Sequence, residues 1–163
     1  YKISNLNTNI ILNNSEIINI IIPTDEINIL KDFNINKCNV FSGYPKEDYN
    51  DHNFTCKVLD HIKNLVLSCY KDDEFYNDMK IETSFDKYYR DLDNWITKNN
   101  IKIIHLPYVT QGNWKKIYKK IIKKYPNINF IKFNRNYDIN SWIYSKKGYF
   151  KFKQNIPDII KNI

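Results

Sequence analysis

Residues 101–133 read IKIIHLPYVTQGNWKKIYKKIIKKYPNINFIKF and hold two short apolar runs separated by a segment with helical spacing. The first run, Ile101 to Leu106, is stopped by Pro107, and the second run covers Ile128 to Phe133. Between them, from Asn113 to Tyr125, apolar residues recur every three or four positions, which is the period of an amphipathic helix. Strand, helix and strand in this order predict a parallel α/β unit.

The same alternation extends toward the N-terminus. A helix is predicted around residues 85–96, and strands are predicted at Ile17 to Ile22 and at Cys38 to Phe41. Thr24 to Phe33 and Asn53 to Tyr70 are predicted helices. Parallel strands with right-handed helical crossovers give a layered sandwich. The sequence therefore predicts an α/β fold, a three-layer Rossmann-like or flavodoxin-like sandwich with about four mostly parallel strands, followed by a C-terminal tail.

Length and composition favour a single α/β domain over residues 1–163. The chain has no alanine and only two arginines among its 25 basic residues, while Ile, Asn, Lys and Tyr are abundant. These four residues have A/T-rich codons, so we attribute much of the bias to an AT-rich genome. Lysine abundance alone is therefore weak evidence for function.

The sequence also bears on compartment. No run of 18 apolar residues is present, so no membrane span is predicted, and no signal peptide is visible. The three cysteines, Cys38, Cys56 and Cys69, are an odd number without CxxC spacing, which favours reduced thiols. We expect a soluble, intracellular protein in a reducing compartment, whether cytosol, nucleus or an organelle interior.

Charge is distributed unevenly along the chain. Residues 1–80 hold 8 Lys and 12 Asp or Glu, a balance of −4, whereas residues 81–163 hold 17 Lys or Arg and 6 Asp or Glu, a balance of +11. The basic character belongs to the C-terminal half, which predicts an anionic partner for that half.

The predicted helix from Asn113 onward concentrates this charge. Helical spacing separates an apolar side that contains Trp114 and Ile121 from a side made of lysines. One interpretation is a surface that follows a phosphate backbone, and the other is an ordinary solvated helix face. We call the lysine side the lysine face, and its members are Lys115, Lys116, Lys119, Lys120, Lys123 and Lys124.

Loops after the predicted strands supply a candidate small-molecule pocket, since ligands of open α/β sheets bind beyond the carboxyl ends of the strands. Neither GxGxxG nor GxxxxGK[ST] occurs, and Gly112 is equally typical of a turn before a helix. The candidate pocket residues are Tyr44, Pro107, Tyr108, Gln111, Gly112 and Arg135.

Catalytic and metal motifs are weak. His52, Cys56 and Asp60 share one predicted helix face, with His61 adjoining, but a closed zinc site needs four ligands. No serine stands in a GxSxG elbow, and His105 lies within a predicted strand. We therefore predict no catalytic residue, no metal site and no cofactor, and leave open whether the chain is an enzyme.

The last third carries a resemblance. Residues 91–109 (DLDNWITKNNIKIIHLPYV), 110–114 (TQGNW) and 133–152 (FNRNYDINSWIYSKKGYFKF) resemble the terminal α/β portion of photolyase/cryptochrome-related proteins. The shared features are a helix with a Trp before a strand that ends in a Pro/Gly loop, then an Arg-x-x-Asp, a Trp and a Gly-aromatic-Phe-x-Phe end. In this chain the later ones are Arg135, Asp138, Trp142, Gly148, Tyr149, Phe150 and Phe152.

The resemblance implies a detached α/β module. Photolyase-related proteins hold FAD in a separate, larger helical domain, so no FAD-binding residue is carried over. Two hypotheses follow from the sequence. The first is a non-catalytic binding or scaffolding subunit of a larger assembly, whose basic face meets nucleic acid or an acidic protein. The second is a photolyase-like module that binds a flavin, pterin or nucleotide at the strand ends.

Overall fold

The fold is a four-stranded parallel sheet with helices, seen in a computed structural model that describes residues 17–23, 38–43, 57–58, 60–61, 64–65, 85–109, 112–145 and 148–161. The predicted helix Thr24 to Phe33 lies outside these residues. The elements, in chain order, are β1 Ile18–Ile22, β2 Cys38–Ser42, α1 Phe85–Lys98, β3 Ile103–Pro107, α2 Asn113–Lys124, β4 Asn129–Phe133, α3 Asn136–Ser145 and α4 Tyr149–Lys161.

The strands lie in the order β2-β1-β3-β4. Strand β1 pairs in parallel with β2, where Ile22 is opposite Ser42, and with β3, where Ile20 is opposite His105. This is the order of the first four strands in flavodoxin-like sheets. The predicted α/β fold class is therefore confirmed.

Helices α1 and α2 cover the same face of the sheet. From β2 to β3 and from β3 to β4 the chain moves in the same direction across the sheet, so right-handed crossovers place both helices on one side. The core between them and the sheet is built from fully or nearly fully buried side chains. These are Ile21, Phe41, Tyr88, Leu92, Ile101, Ile104, Leu106, Trp114, Ile117, Tyr118 and Ile121.

Strand β1 is buried on both faces. Ile21 belongs to the core under α1 and α2, while Ile20 and Ile22, which point to the opposite face, are 0% and 1% exposed. A central parallel strand needs apolar residues on both sides, which explains the nearly continuous isoleucine run. The one polar interruption, Asn19, is matched by an amide partner: Asn39 Nδ2 donates to Asn19 Oδ1 at 3.0 Å.

The observed boundaries differ little from the predicted ones. Strand β3 begins two residues after Ile101 and includes Pro107, because a proline at a strand end leaves few ladder bonds unmade. The predicted helix Asn53 to Tyr70 is helical at its described positions 57, 58, 60, 61, 64 and 65. There the apolar side chains of Val58 and Leu65 are 39% and 42% exposed, so both are only partly buried.

The C-terminal tail is helical, which the sequence analysis did not predict. Helix α3 follows β4 after two residues, and α4 begins directly after Gly148, whose φ of +82° suits glycine. By Cα packing the described residues divide into two compact units, with the boundary between Lys132 and Phe133. One domain over residues 1–163 stays a prediction.

Candidate functional site

Helix α2 separates its apolar and lysine sides as predicted. Trp114, Ile117 and Ile121 are fully buried against the sheet, and Tyr118 is 3% exposed. On the other side, Lys115 is half-buried and the remaining five lysines of the lysine face are exposed. The core contacts of Trp114 and Ile121 therefore fix the rotation of the helix, and this rotation turns the lysines outward.

Lys124 has a partner on α1. Its Nζ donates to Asp93 Oδ2 at 2.8 Å, and the Tyr125 hydroxyl donates to Asp93 Oδ1 at 2.6 Å. The Lys124 ammonium also lies 4.8 Å from the centre of the Tyr89 ring and 5.0 Å from that of Tyr125. Asp93 thus joins the C-terminal end of α2 to α1 and neutralises one charge of the lysine face.

The contact between Asp93 and its partners shifts the pKa values of Asp93 and Tyr125. Partial burial raises the pKa of Asp93, but the hydrogen bonds from Lys124 and Tyr125 outweigh burial and hold the pKa below its usual value. Burial and the bond to the Asp93 carboxylate raise the pKa of the Tyr125 phenol. At neutral pH the carboxylate is therefore charged and the phenol protonated, which is the arrangement that both hydrogen bonds require.

The rest of the lysine face lies in strongly basic surroundings. Residues 85–132 contain 11 Lys or Arg and 3 Asp, which gives +8, and all three acids lie on α1. Helix α2 itself has no acidic residue. Lys116 and Lys123 are about 10 Å apart along the helix axis, so the exposed lysines form a row of positive charges comparable in length to a few nucleotides.

The candidate pocket residues are only partly brought together. Pro107 ends β3, Tyr108 follows it half-buried, and Gly112 directly precedes α2, so these three lie in one connection. Tyr44 and Gln111 lie outside the described residues. Arg135 follows β4 and forms an ion pair with Asp138, with Nη1 3.8 Å from Oδ2.

Helix α2 has a glycine at its N-cap. Gly112 occupies the N-cap with φ of +89° and ψ of −169°, a conformation that is essentially restricted to glycine. It makes no side-chain capping hydrogen bond, and the first turn holds no acid. Gly112 therefore supplies no side chain that could cap the first backbone amides of α2.

The strand order locates the switch point of the sheet, which is where open α/β sheets generally bind ligands. The chain leaves β1 toward β2 and leaves β3 toward β4, in opposite directions, so the switch point lies between β1 and β3. Pro23 and Pro107, both buried, stand at the carboxyl ends of these strands. At the end of the neighbouring β2, the Ser42 hydroxyl is buried and has no hydrogen-bond partner among the described residues.

The described part of the chain offers little evidence for a metal site or for an acid–base catalytic residue. No group of three or more His, Cys, Asp or Glu side chains capable of holding a metal ion occurs there. Asp60 and His61 are exposed, and His52 and Cys56 lie outside it. The His105 ring is half-buried with Nδ1 3.3 Å from the Asn19 carbonyl oxygen, and burial lowers its pKa more than this bond raises it.

Asp93 is the site residue that sequence reasoning missed. Its partners stand 31 and 32 positions away, so no local spacing relates it to Lys124 or Tyr125. The sequence feature that points to Asp93 is its position between the apolar residues Leu92 and Trp95. Such a position borders the buried side of α1 and faces the adjacent helix.

Comparison with models of protein families, with curated proteins and with solved structures finds no match to this chain. The fold and the site thus define a flavodoxin-like α/β unit with a lysine-rich helix, and the photolyase/cryptochrome resemblance stays a prediction. None of the helices in the described ranges is both long and apolar enough to cross a bilayer.

Proposed function

We propose that this chain is a non-catalytic α/β binding or scaffolding subunit of a larger assembly, whose lysine face engages an anionic partner. The observation that carries the proposal is the geometry of α2. Its apolar side is locked in the core by Trp114, Ile117 and Ile121, and its opposite side carries six lysines without one acid.

The chemistry of the lysine face fits a phosphodiester backbone better than base recognition. Lysine ammonium groups act as point charges, whereas base edges are read mainly by bidentate Arg, Asn or Gln contacts. No arginine lies on α2, and a rigid row of ammonium groups supports sequence-independent, salt-sensitive binding. An acidic protein surface in place of nucleic acid is the other outcome that the experiment distinguishes.

The test compares two triple variants for binding to a short mixed-sequence DNA duplex and to the matching single-stranded RNA. Lys116→Gln/Lys119→Gln/Lys123→Gln removes exposed charge from the lysine face. The matched control, Lys57→Gln/Lys98→Gln/Lys102→Gln, removes the same charge from exposed lysines outside α2. We expect the first variant to lose at least roughly tenfold in affinity and the control to lose much less.

Equal losses in the two variants would show that only net charge matters, and would contradict a specific surface on α2. Binding to polyglutamate but to neither nucleic acid would assign the lysine face to an acidic protein. Absence of binding to all three at low salt would refute the proposal.

A second function is supported by the strand order. The switch point between β1 and β3 is the place where sheets of this order bind flavins and related ligands, and α2, with Gly112 at its N-cap, follows β3. We propose, as the alternative, a photolyase-like module that holds a flavin, pterin or nucleotide at this edge. Its support is the fold together with the sequence resemblance.

Thermal unfolding in the presence of FMN, a pterin or AMP tests the alternative. A ligand at about one hundred times its Kd stabilises a protein by about 2.7 kcal/mol, which is a clear rise in Tm. An unchanged Tm with all three ligands at millimolar concentration would count against the pocket.

A further inference from the structure

Helix α4 presents an apolar surface to solvent. Tyr149 is 70% exposed, Phe150 80%, Ile156 37% and Ile160 65%. Tyr149, Ile156 and Ile160 lie within about 40° of one another around the helix axis, and Phe150 adds a second aromatic ring at the N-terminal end. The buried side of the helix is a different one, because Ile159 is 6% exposed and lies about 60° from Ile156.

Positive charge borders this surface. Lys153 and Lys161 are exposed on the side of the helix that carries Tyr149, Phe150 and Ile160, whereas Lys151 is exposed on the opposite side, and the sequence from 146 to 153 reads KKGYFKFK. No acidic residue occurs between Asp138 and Asp158, and Asp158 lies 3.9 Å from the Lys161 ammonium. Aromatic and aliphatic side chains thus share one exposed helix surface with lysines and without uncompensated acids.

We propose that α4 docks on the surface of an anionic lipid bilayer and lies in the plane of its headgroups. A helix of 13 residues is about 20 Å long, too short to cross a bilayer, but it matches an interfacial amphipathic helix. The apolar side chains enter the boundary between headgroups and acyl chains, and the lysines contact anionic headgroups.

The side-chain chemistry favours this occupant over single-stranded nucleic acid. Successive bases stack on the faces of aromatic rings, but Tyr149 and Phe150 contact each other edge to face, with centroids 5.7 Å apart and planes at 71°, so the two rings do not form one flat platform. Ile156 and Ile160 extend the surface away from the rings and offer no stacking face. A bilayer with anionic headgroups provides an apolar phase for all four apolar side chains and negative charge for the lysines.

The full chain is tested by co-sedimentation with vesicles of phosphatidylcholine and with vesicles that also contain about one-third phosphatidylserine. We expect at least roughly tenfold stronger partitioning into the anionic vesicles, and loss of most of it in Tyr149→Ser/Phe150→Ser. That variant should melt as the parent does, because both side chains are exposed. The control Lys116→Gln/Lys119→Gln/Lys123→Gln, on α2, should keep most of its lipid binding. The test of lipid binding by α4 is therefore independent of whether the lysine face of α2 binds an anionic partner.

Failure to bind anionic vesicles would overturn the proposal, as would unchanged binding by Tyr149→Ser/Phe150→Ser. A marked fall in the Tm of that variant would also overturn it, because the two rings would then belong to internal packing. Binding to single-stranded RNA that needs the same two rings, without lipid binding, would assign the surface to nucleic acid instead.

Discussion

Lys124 donates to the carboxylate of Asp93 across 2.8 Å, and this ion pair ties one lysine of the lysine face to α1. Lys124 thereby stabilises the packing of α2 on α1, while Lys116, Lys119 and Lys123 are exposed on the same helix. A partner that binds the lysine face competes with Asp93 for Lys124, so we expect Lys116, Lys119 and Lys123 to contribute more to binding and Lys124 more to the fold.

Substitution of Asp93 by Asn should destabilise the protein by about 1 to 2 kcal/mol, because Tyr125 loses a charged acceptor and Lys124 loses its ion pair. The expected loss is modest because the side chains of Lys124 and Asp93 are both partly exposed, and exposed ion pairs contribute little. Urea unfolding measures the change. The control Asp86→Asn, at an exposed position in the first turn of α1, should cost about 0.5 kcal/mol.

Asp93 also predicts a dependence of stability on acid pH. The pKa of Asp93 is lowered in the folded protein relative to its value near 3.8 in the unfolded chain. Asp93 therefore adds its full contribution to the free energy of unfolding above about pH 3.8, and this contribution is lost as the pH falls through the lower pKa of the folded protein. The variant Asp93→Asn should lack this acid-dependent loss. An equal acid dependence in parent and variant would contradict the assignment.

His105 predicts a second pH dependence, in a higher range. Because burial lowers its pKa in the folded protein, the unfolded chain takes up a proton first as the pH falls below about 6.5. The free energy of unfolding should therefore be highest above this pH and decrease below it. Urea unfolding between about pH 8 and pH 5 measures the slope, and His105→Gln should flatten it. A stability that rises as the pH falls in this interval would refute the prediction.

The core side of α2 predicts the largest losses of stability. Trp114→Ala should cost about 3 to 5 kcal/mol and Ile121→Ala about 2 to 5 kcal/mol, because both side chains are fully buried and leave cavities. Circular dichroism melts and urea unfolding measure these losses. Lys119→Ala, on the opposite side of the same helix, should change stability by less than about 0.5 kcal/mol. Reversed sensitivities would contradict the rotation of the helix that places the lysines outside.

The sequence predicts most of the sheet and of α2 because burial leaves a strong periodic signal. Strand β1 is a continuous apolar run since both of its faces are covered, and α2 shows clear helical spacing since Trp114, Ile117 and Ile121 all face one core. Helix α4 lacks such a signal. Its apolar residues are mostly exposed, and Pro157 interrupts its sequence, so the tail is not recognisable as a helix from periodicity.

The candidate site is less predictable for a different reason. The lysine face depends on spacing within one helix and can be read from the sequence, whereas the Asp93, Lys124 and Tyr125 contact depends on how α1 packs beside α2. The switch point between β1 and β3 likewise follows from the strand order, which periodicity does not specify.

The salt dependence of binding to a short DNA duplex shows whether the lysine face of α2 binds an anionic partner. Each lysine–phosphate contact contributes about 0.9 to the slope of log K against log salt concentration. We expect Lys116→Gln/Lys119→Gln/Lys123→Gln to lower the magnitude of this slope by about two to three, with an unchanged melting temperature. An unchanged slope would refute binding through the lysine face, because the three lysines would then make no contact with the phosphates.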